Sequence, residues 1–325
     1  MRPTSAFALP LALAGTLVCS AVAAGPRDAL SLVPVDATSV GFVRVADLRT
    51  NPFQLRIFEE TDKLSADGEA ARFLEEAGLN LRQDVDDIVV CAMSESSPRG
   101  TLLLAEGRFD PKRLSAAVVK RGAEPRVAPG GNYFRLTGSS SGSGSDRHPG
   151  AVAFVDARTV LAGSEPAVVS ALWARASGGT GFASGQGLGR ELRRVDPAST
   201  AWALVDVAKW RPARPIRSDS PAAGVVSTLK SVTLVTFQAT VQGDALSLKA
   251  TGLSPDEETR GLLEDALRGL TAAWRLSAQE KSPELVAAIR KIQVSRDDEG
   301  VTISGTVPGE LLRSLSAEAH KQSGK

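Results

Sequence analysis

Between Ser231 and Leu276 the residue pattern dictates a strand, a tight turn, a second strand and a helix. In Val235, Phe237, Ala239 and Val241 every second residue is apolar, and Thr236, Gln238 and Thr240 between them are polar. Leu246, Leu248 and Ala250 repeat the pattern beyond Gly243-Asp244. Period-two alternation marks half-buried strands, and Gly-Asp between two such runs is a hairpin turn. A two-residue loop pairs Val241 with Leu246, Ala239 with Leu248 and Phe237 with Ala250, all on one face. Ser254-Pro255-Asp256-Glu257 reads as a capping box with proline at the first helical position. Leu263, Leu267, Leu270 and Trp274 give the helix an apolar stripe with Leu267 at its centre. An apolar sheet face followed by an apolar helix stripe predicts a two-layer core.

The rest of the chain writes this plan twice. Strand 40–46 is followed by a helical stretch ending near Gly78, a hairpin of 88–93 and 101–106, and a helix started by Asp110-Pro111. Strands at 133–136, 151–155 and 159–162 and a helix from Pro166 complete the first half. The second half runs strand 200–207, a short helix at 222–229, the hairpin above and the helix after it. A shorter helix at 283–292, a hairpin around Asp298-Glu299-Gly300 and a final helix from Pro308 close it. Val45-Ala46-Asp47-Leu48 has a counterpart in Val207-Ala208-Lys209-Trp210, and Gly107 before Asp110-Pro111 matches Gly252 before Ser254-Pro255. The expected fold is therefore α+β, in two pseudo-repeated halves of antiparallel hairpins with helices packed on one sheet face. The expected boundaries are a signal peptide at 1–24, an N-terminal half at 25–176, a Gly-rich linker at 177–198, a C-terminal half at 199–319 and a tail at 320–325. Segment 138–150, almost all Ser and Gly, reads as a flexible loop.

The first residues carry a targeting pattern: Arg2, an apolar or small run from Ala6 to Ala24, and A-x-A-type sites at Ala21-Val22-Ala23-Ala24. Cleavage near Ala23-Ala24 is expected to release a soluble chain to the periplasm or the medium, with no transmembrane segment in the mature chain. Cys19 is preceded by Val18, where lipoprotein processing wants a small residue. Loss of Arg2 takes the 38 basic side chains to 37, equal to the 37 acidic ones. Such a balance gives no global attraction for nucleic acid. Cys91 is then the one cysteine left, and its apolar neighbours make it a small buried hydrophobe.

Catalytic constellations do not assemble from this sequence. His148 sits in the Ser/Gly segment and His320 in the tail. Asp84, Asp86 and Asp87, and likewise Asp297, Asp298 and Glu299, stand at strand starts or turns, where aspartate serves the backbone. The matches to G-x-S-x-G at 138–142 and S-x-x-K at 227–230 lack the context each motif needs. Gly185, Gly187 and Gly189 lack the spacing of a dinucleotide fingerprint, and no metal or cofactor is expected. Arg211, Arg214 and Arg217, among three prolines, are the candidate contacts for an anionic partner.

Leu32-Val33-Pro34-x-Asp36-Ala37 after a signal peptide, followed by Val45-Ala46-Asp47-Leu48, resembles the opening of certain exported bacterial domains of unknown function. The resemblance implies a secreted α+β domain and carries no catalytic residues. The expected function is a non-enzymatic binding or structural role toward a protein or ligand of the cell envelope. Two alternatives stand beside it: a carrier of an apolar ligand such as a lipid, held between sheet and leucine-rich helices, and a hydrolase without a recognisable motif. The most informative single observation is whether the fold holds a deep apolar cavity or a solid core.

Overall fold

The computed structural model describes residues 27–49, 68–93, 100–141, 148–178, 181–209, 232–279 and 283–311. Among the described residues twelve strands form one antiparallel sheet. The hairpin of β9 (Leu234–Gln242) and β10 (Ala245–Leu253) sets Val241 opposite Leu246, Ala239 opposite Leu248 and Phe237 opposite Ala250. That is the register the turn predicts. Gly243 takes φ +58° in the turn, a conformation open to glycine at no steric cost.

The strand order displays the duplication. In the N-terminal half β1 (Ala37–Arg44), β2 (Val85–Met93), β3 (Thr101–Gly107), β7 (Thr159–Ser164) and β6 (His148–Phe154) lie side by side. In the C-terminal half β8 (Ala201–Asp206), β9, β10, β12 (Gly300–Pro308) and β11 (Gln293–Arg296) follow the same order. The first strands of the two halves pair with each other: Phe42 of β1 faces Trp202 of β8, and their rings stack at 5.6 Å. The sheet is therefore continuous across the boundary between the halves. The N-terminal half adds β4 (Glu124–Ala128) and β5 (Gly131–Ser141) at its edge.

Helices pack on one face toward both ends of the sheet, leaving Val90 and Leu103 exposed at its centre. On this face α3 (Gly68–Ala77) and α5 (Pro111–Lys120) pack over Phe134, Phe154 and Val160. Asp110 caps α5, accepting from the amides of Lys112 and Arg113 at 3.0 and 3.1 Å. Further along the same face lie α7 (Glu257–Ala278) and α8 (Pro283–Arg290). The N-terminal half also buries its other face. There α1 (Arg27–Leu32), α6 (Glu165–Ala176) and 3-10 turns at Phe182–Ser184 and Gly187–Arg194 close over Val40, Phe42, Val89, Cys91, Leu102, Leu104 and Leu161. This is the largest apolar cluster among the described residues, and Phe182 is wholly enclosed in it. Two short helices, α2 (Val45–Leu48) and α4 (Leu81–Asp84), flank the start of β2.

Several local expectations differ from the structure. Helix α7 starts at Glu257, and its cap is Asp256, whose carboxylate accepts from Thr259 N at 2.7 Å. Ser254 lies before the helix: its amide donates to Glu299 O at the end of the sheet, 3.1 Å away, and its Oγ accepts from Asp256 N at 3.4 Å. Strand β4 has no period-two signal, because Pro125 and Arg126 interrupt it. Strand backbone replaces both ends of the Ser/Gly segment, since β5 runs to Ser141 and β6 opens at His148.

Candidate functional site

A cavity of about 520 Å³ lies between the C-terminal part of the sheet and helices α7 and α8. Its floor is the apolar face read from the hairpin. Phe237, Leu248 and Ala250 come from β9 and β10, and Ile303, Gly305 and Val307 from β12. The ladder of β10 and β12 sets Ala250 opposite Ile303, Leu248 opposite Gly305 and Leu246 opposite Val307. The walls are Trp274 and Ala278 of α7 and Leu285, Ala288 and Ile289 of α8, with Ile292 just beyond. Leu311, which follows β12, closes one side.

The gap has a residue-level cause. The N-terminal part of α7 meets the sheet closely: Leu263 is buried against Val232 and Val301, and Leu267, Val235 and Val294 pack around them. Further along, α7 offers Thr271 and Ala278 to the interior, and α8 offers Ala288. Below them the floor has Ala250 and Gly305 in the middle of their strands. Small side chains on floor and walls together leave space that no neighbour fills. Phe237 and Trp274, expected in the core, are instead 39% and 48% exposed, because each looks into this space. Ser277 is the polar residue of its helical wall; Lys249, Ser304 and Thr306 border it from the floor strands, but their side chains alternate to the opposite face of the sheet. A concave, apolar space of a few hundred cubic ångströms with few polar groups is the usual form of a small-molecule site.

The residues singled out from sequence lie elsewhere. Arg211, Arg214 and Arg217 are outside the described residues, as are His320 and the leader. Of His148 only the backbone, at the start of β6, is described. Cys91 is 1% exposed, and burial pushes its thiol up to about 12. Asp297 is a turn former, its Oδ1 accepting from the amides of Glu299 and Gly300 at 2.9 and 2.8 Å. Those two bonds hold its carboxyl below the usual carboxylate range. Asp84 accepts from Asn80 N at 2.7 Å, and Asp86 pairs with Arg49 at 2.8 Å. Asp87 differs from both. It is half-buried, its Oδ1 has no hydrogen-bond partner, and burial raises its carboxyl to about 6. Among the described residues no three His, Cys, Asp or Glu side chains come together as a metal would need, and no helix is long and apolar enough to cross a membrane.

No protein-family model and no curated protein matches the chain. Solved structures do. Crystal form III of TP0453 superposes with a TM-score of 0.50 at 8% identity, over 89% of this chain and 97% of that one. Crystal forms IV and I of TP0453 give 0.45 and 0.46 at 9% identity. At such identities the likeness is one of fold, and it spans nearly the whole of both chains.

Proposed function

We propose that this protein is a non-enzymatic carrier that binds an apolar ligand, an acyl chain or a hydrocarbon of similar bulk, in the cavity beneath α7 and α8. One observation carries the reading: a space of about 520 Å³ with Phe237, Trp274, Leu285, Ile289 and Ile303 turned into it. Leaving so much apolar surface uncovered forgoes about 25 cal/mol for every square ångström that could have been buried. Small residues at Ala250, Gly305, Ala278 and Ala288 keep the space open. A ligand recovers that term, which is the driving force for binding. The leader pattern at 1–24 supports an exported carrier that meets its ligand in the cell envelope.

Organic extraction of the purified protein followed by mass spectrometry tests the reading. The expected result is one apolar molecule in near-stoichiometric amount. Ala250→Phe places a ring on the floor and should abolish both the co-purified molecule and the binding of a fluorescent fatty acid. A fatty acid bound equally well by the wild type and by Ala250→Phe would refute it.

A further inference from the structure

The same strands carry a second concavity on their opposite face. Between the floor residues of the apolar cavity, β9, β10 and β12 turn Gln238, Thr240, Ser247, Lys249, Ser304 and Thr306 the other way. These side chains line a polar groove of about 390 Å³. One wall is the turn before β8, with Asp196 and Ser199; the other is the link from α8 to β11, with Lys291 and Gln293.

The N-terminal half is an internal control for this face. There the corresponding strands carry Val89, Cys91, Leu102, Leu104 and Leu161, and α6, which follows the last of them, seals the surface with Val168 and Leu172. In the C-terminal half the chain leaving β12 turns to the other side, where Leu311 meets the apolar cavity. Hydroxyls and a lysine stand where the first half has a core. One solvated face is ordinary for an antiparallel sheet. A walled groove with two ammonium groups is a more specific feature.

Its polar groups are held in place. Gln238 Oε1 accepts from Asp196 N at 2.7 Å, and its Nε2 donates to Arg194 O at 3.5 Å. Thr240 Oγ1 donates to Ser199 Oγ at 3.4 Å, and the hydroxyls of Ser247 and Thr306 lie 3.3 Å apart. Each hydroxyl can make further bonds beyond these. The groove's carboxylate, on Asp196, already accepts from Ala198 N at 2.8 Å. Lys249 stands on β10 between Gln238 and Ser304, and among the described residues neither it nor Lys291 has a carboxylate partner. Point-charge ammonium groups flanked by hydroxyl donors suit an anion with several oxygens. The planar fork that a carboxylate favours, an arginine, is not among the lining residues.

We propose that this groove is a second binding site, for a phosphate-bearing ligand held between Lys249 and Lys291. The phosphate could sit on a soluble ester or on a lipid headgroup, and the test has an arm for each. Calorimetry of the purified full chain with glycerol 3-phosphate covers the first. Co-sedimentation with phosphatidylcholine vesicles, with and without phosphatidic acid, covers the second. Binding in either arm is expected to weaken at least about tenfold, or 1.4 kcal/mol, in Lys249→Gln/Lys291→Gln. It should persist in Lys249→Arg and fall with added salt. The circular dichroism spectrum and the urea midpoint of all these variants should match those of the wild type, which verifies that they fold. No binding in either arm, or binding that survives the double substitution, overturns the proposal.

Discussion

Leu248 lies directly opposite Gly305 on the ladder of β10 and β12, so one of the two positions on the cavity floor has no side chain at all. A Cβ built at Gly305 would stand 3.2 Å from Ile292 Cγ1, so Ile292 must shift by a few tenths of an ångström to admit one. The space above Leu248 and the position of Ile292 are thus set by the same missing atoms.

Gly305→Val should therefore separate binding from folding. Two methyl groups over Leu248 take up floor space, and affinity for a fatty acid should fall at least about tenfold. The crowding of Ile292 should cost about 1–3 kcal/mol, the usual range for overpacking. Fluorescence titration and a denaturation curve on the same preparation measure both. Undiminished affinity would place the ligand elsewhere.

Removing Leu263 should be far more costly than removing Trp274, although sequence puts both on one helical stripe. Leu263 is 3% exposed and packed between Val232 and Val301. Its truncation to alanine should cost about 2–5 kcal/mol. Trp274 lies half-exposed at the cavity, and Trp274→Ala should stay within about 1 kcal/mol of wild type. Urea midpoints for the two variants decide the matter. The same truncation at Trp274 should reduce fatty-acid affinity.

Sequence legibility followed the range of the interactions. The register of β9 and β10 was readable because alternation and a two-residue turn specify it within twenty residues. The repeated order of elements was readable for the same reason. Pairing of β1 with β8 was not, since it depends on Phe42 and Trp202 meeting across 160 positions of chain. The cavity was out of reach too. Ala250, Gly305, Ala278 and Ala288 are unremarked singly, and their effect exists only once α7 and α8 are laid over β12. The stripe on α7 was legible as apolar, but its period cannot tell a residue that touches the sheet from one that faces a gap.

Cys91 should be inert in the folded protein. Its thiol is buried between β1 and β3 and stays protonated far above neutral pH, since burial pushes it up to about 12. A thiol reagent at pH 8 should label the native chain only at the rate at which it unfolds, and should label it at once in denaturant. Fast native labelling would show that the cluster around Val40, Leu102 and Leu104 opens locally.

Asp87 should make the protein less stable at pH 7.5 than near pH 5. Its carboxyl is half-buried, and Oδ1 has no hydrogen-bond partner. Burial is the largest cause of its rise from 3.8 to about 6; Arg44 and Arg49 oppose the rise, and Asp86 and Asp47 add to it. The folded state thus holds its proton to higher pH than the unfolded chain does. Over that window the folded state binds more protons, so stability declines as pH climbs from about 4 toward 6 and is lowest above it. A shift of about two units corresponds to roughly 3 kcal/mol at full strength, and solvent screening of a half-buried group reduces this to about 1–2 kcal/mol. Asp87→Asn carries the neutral shape at every pH. It should raise the denaturation midpoint at pH 7.5, leave it nearly unchanged at pH 4, and flatten the slope between. A variant that parallels wild type across the whole range would mean that Asp87 titrates as an ordinary surface carboxylate.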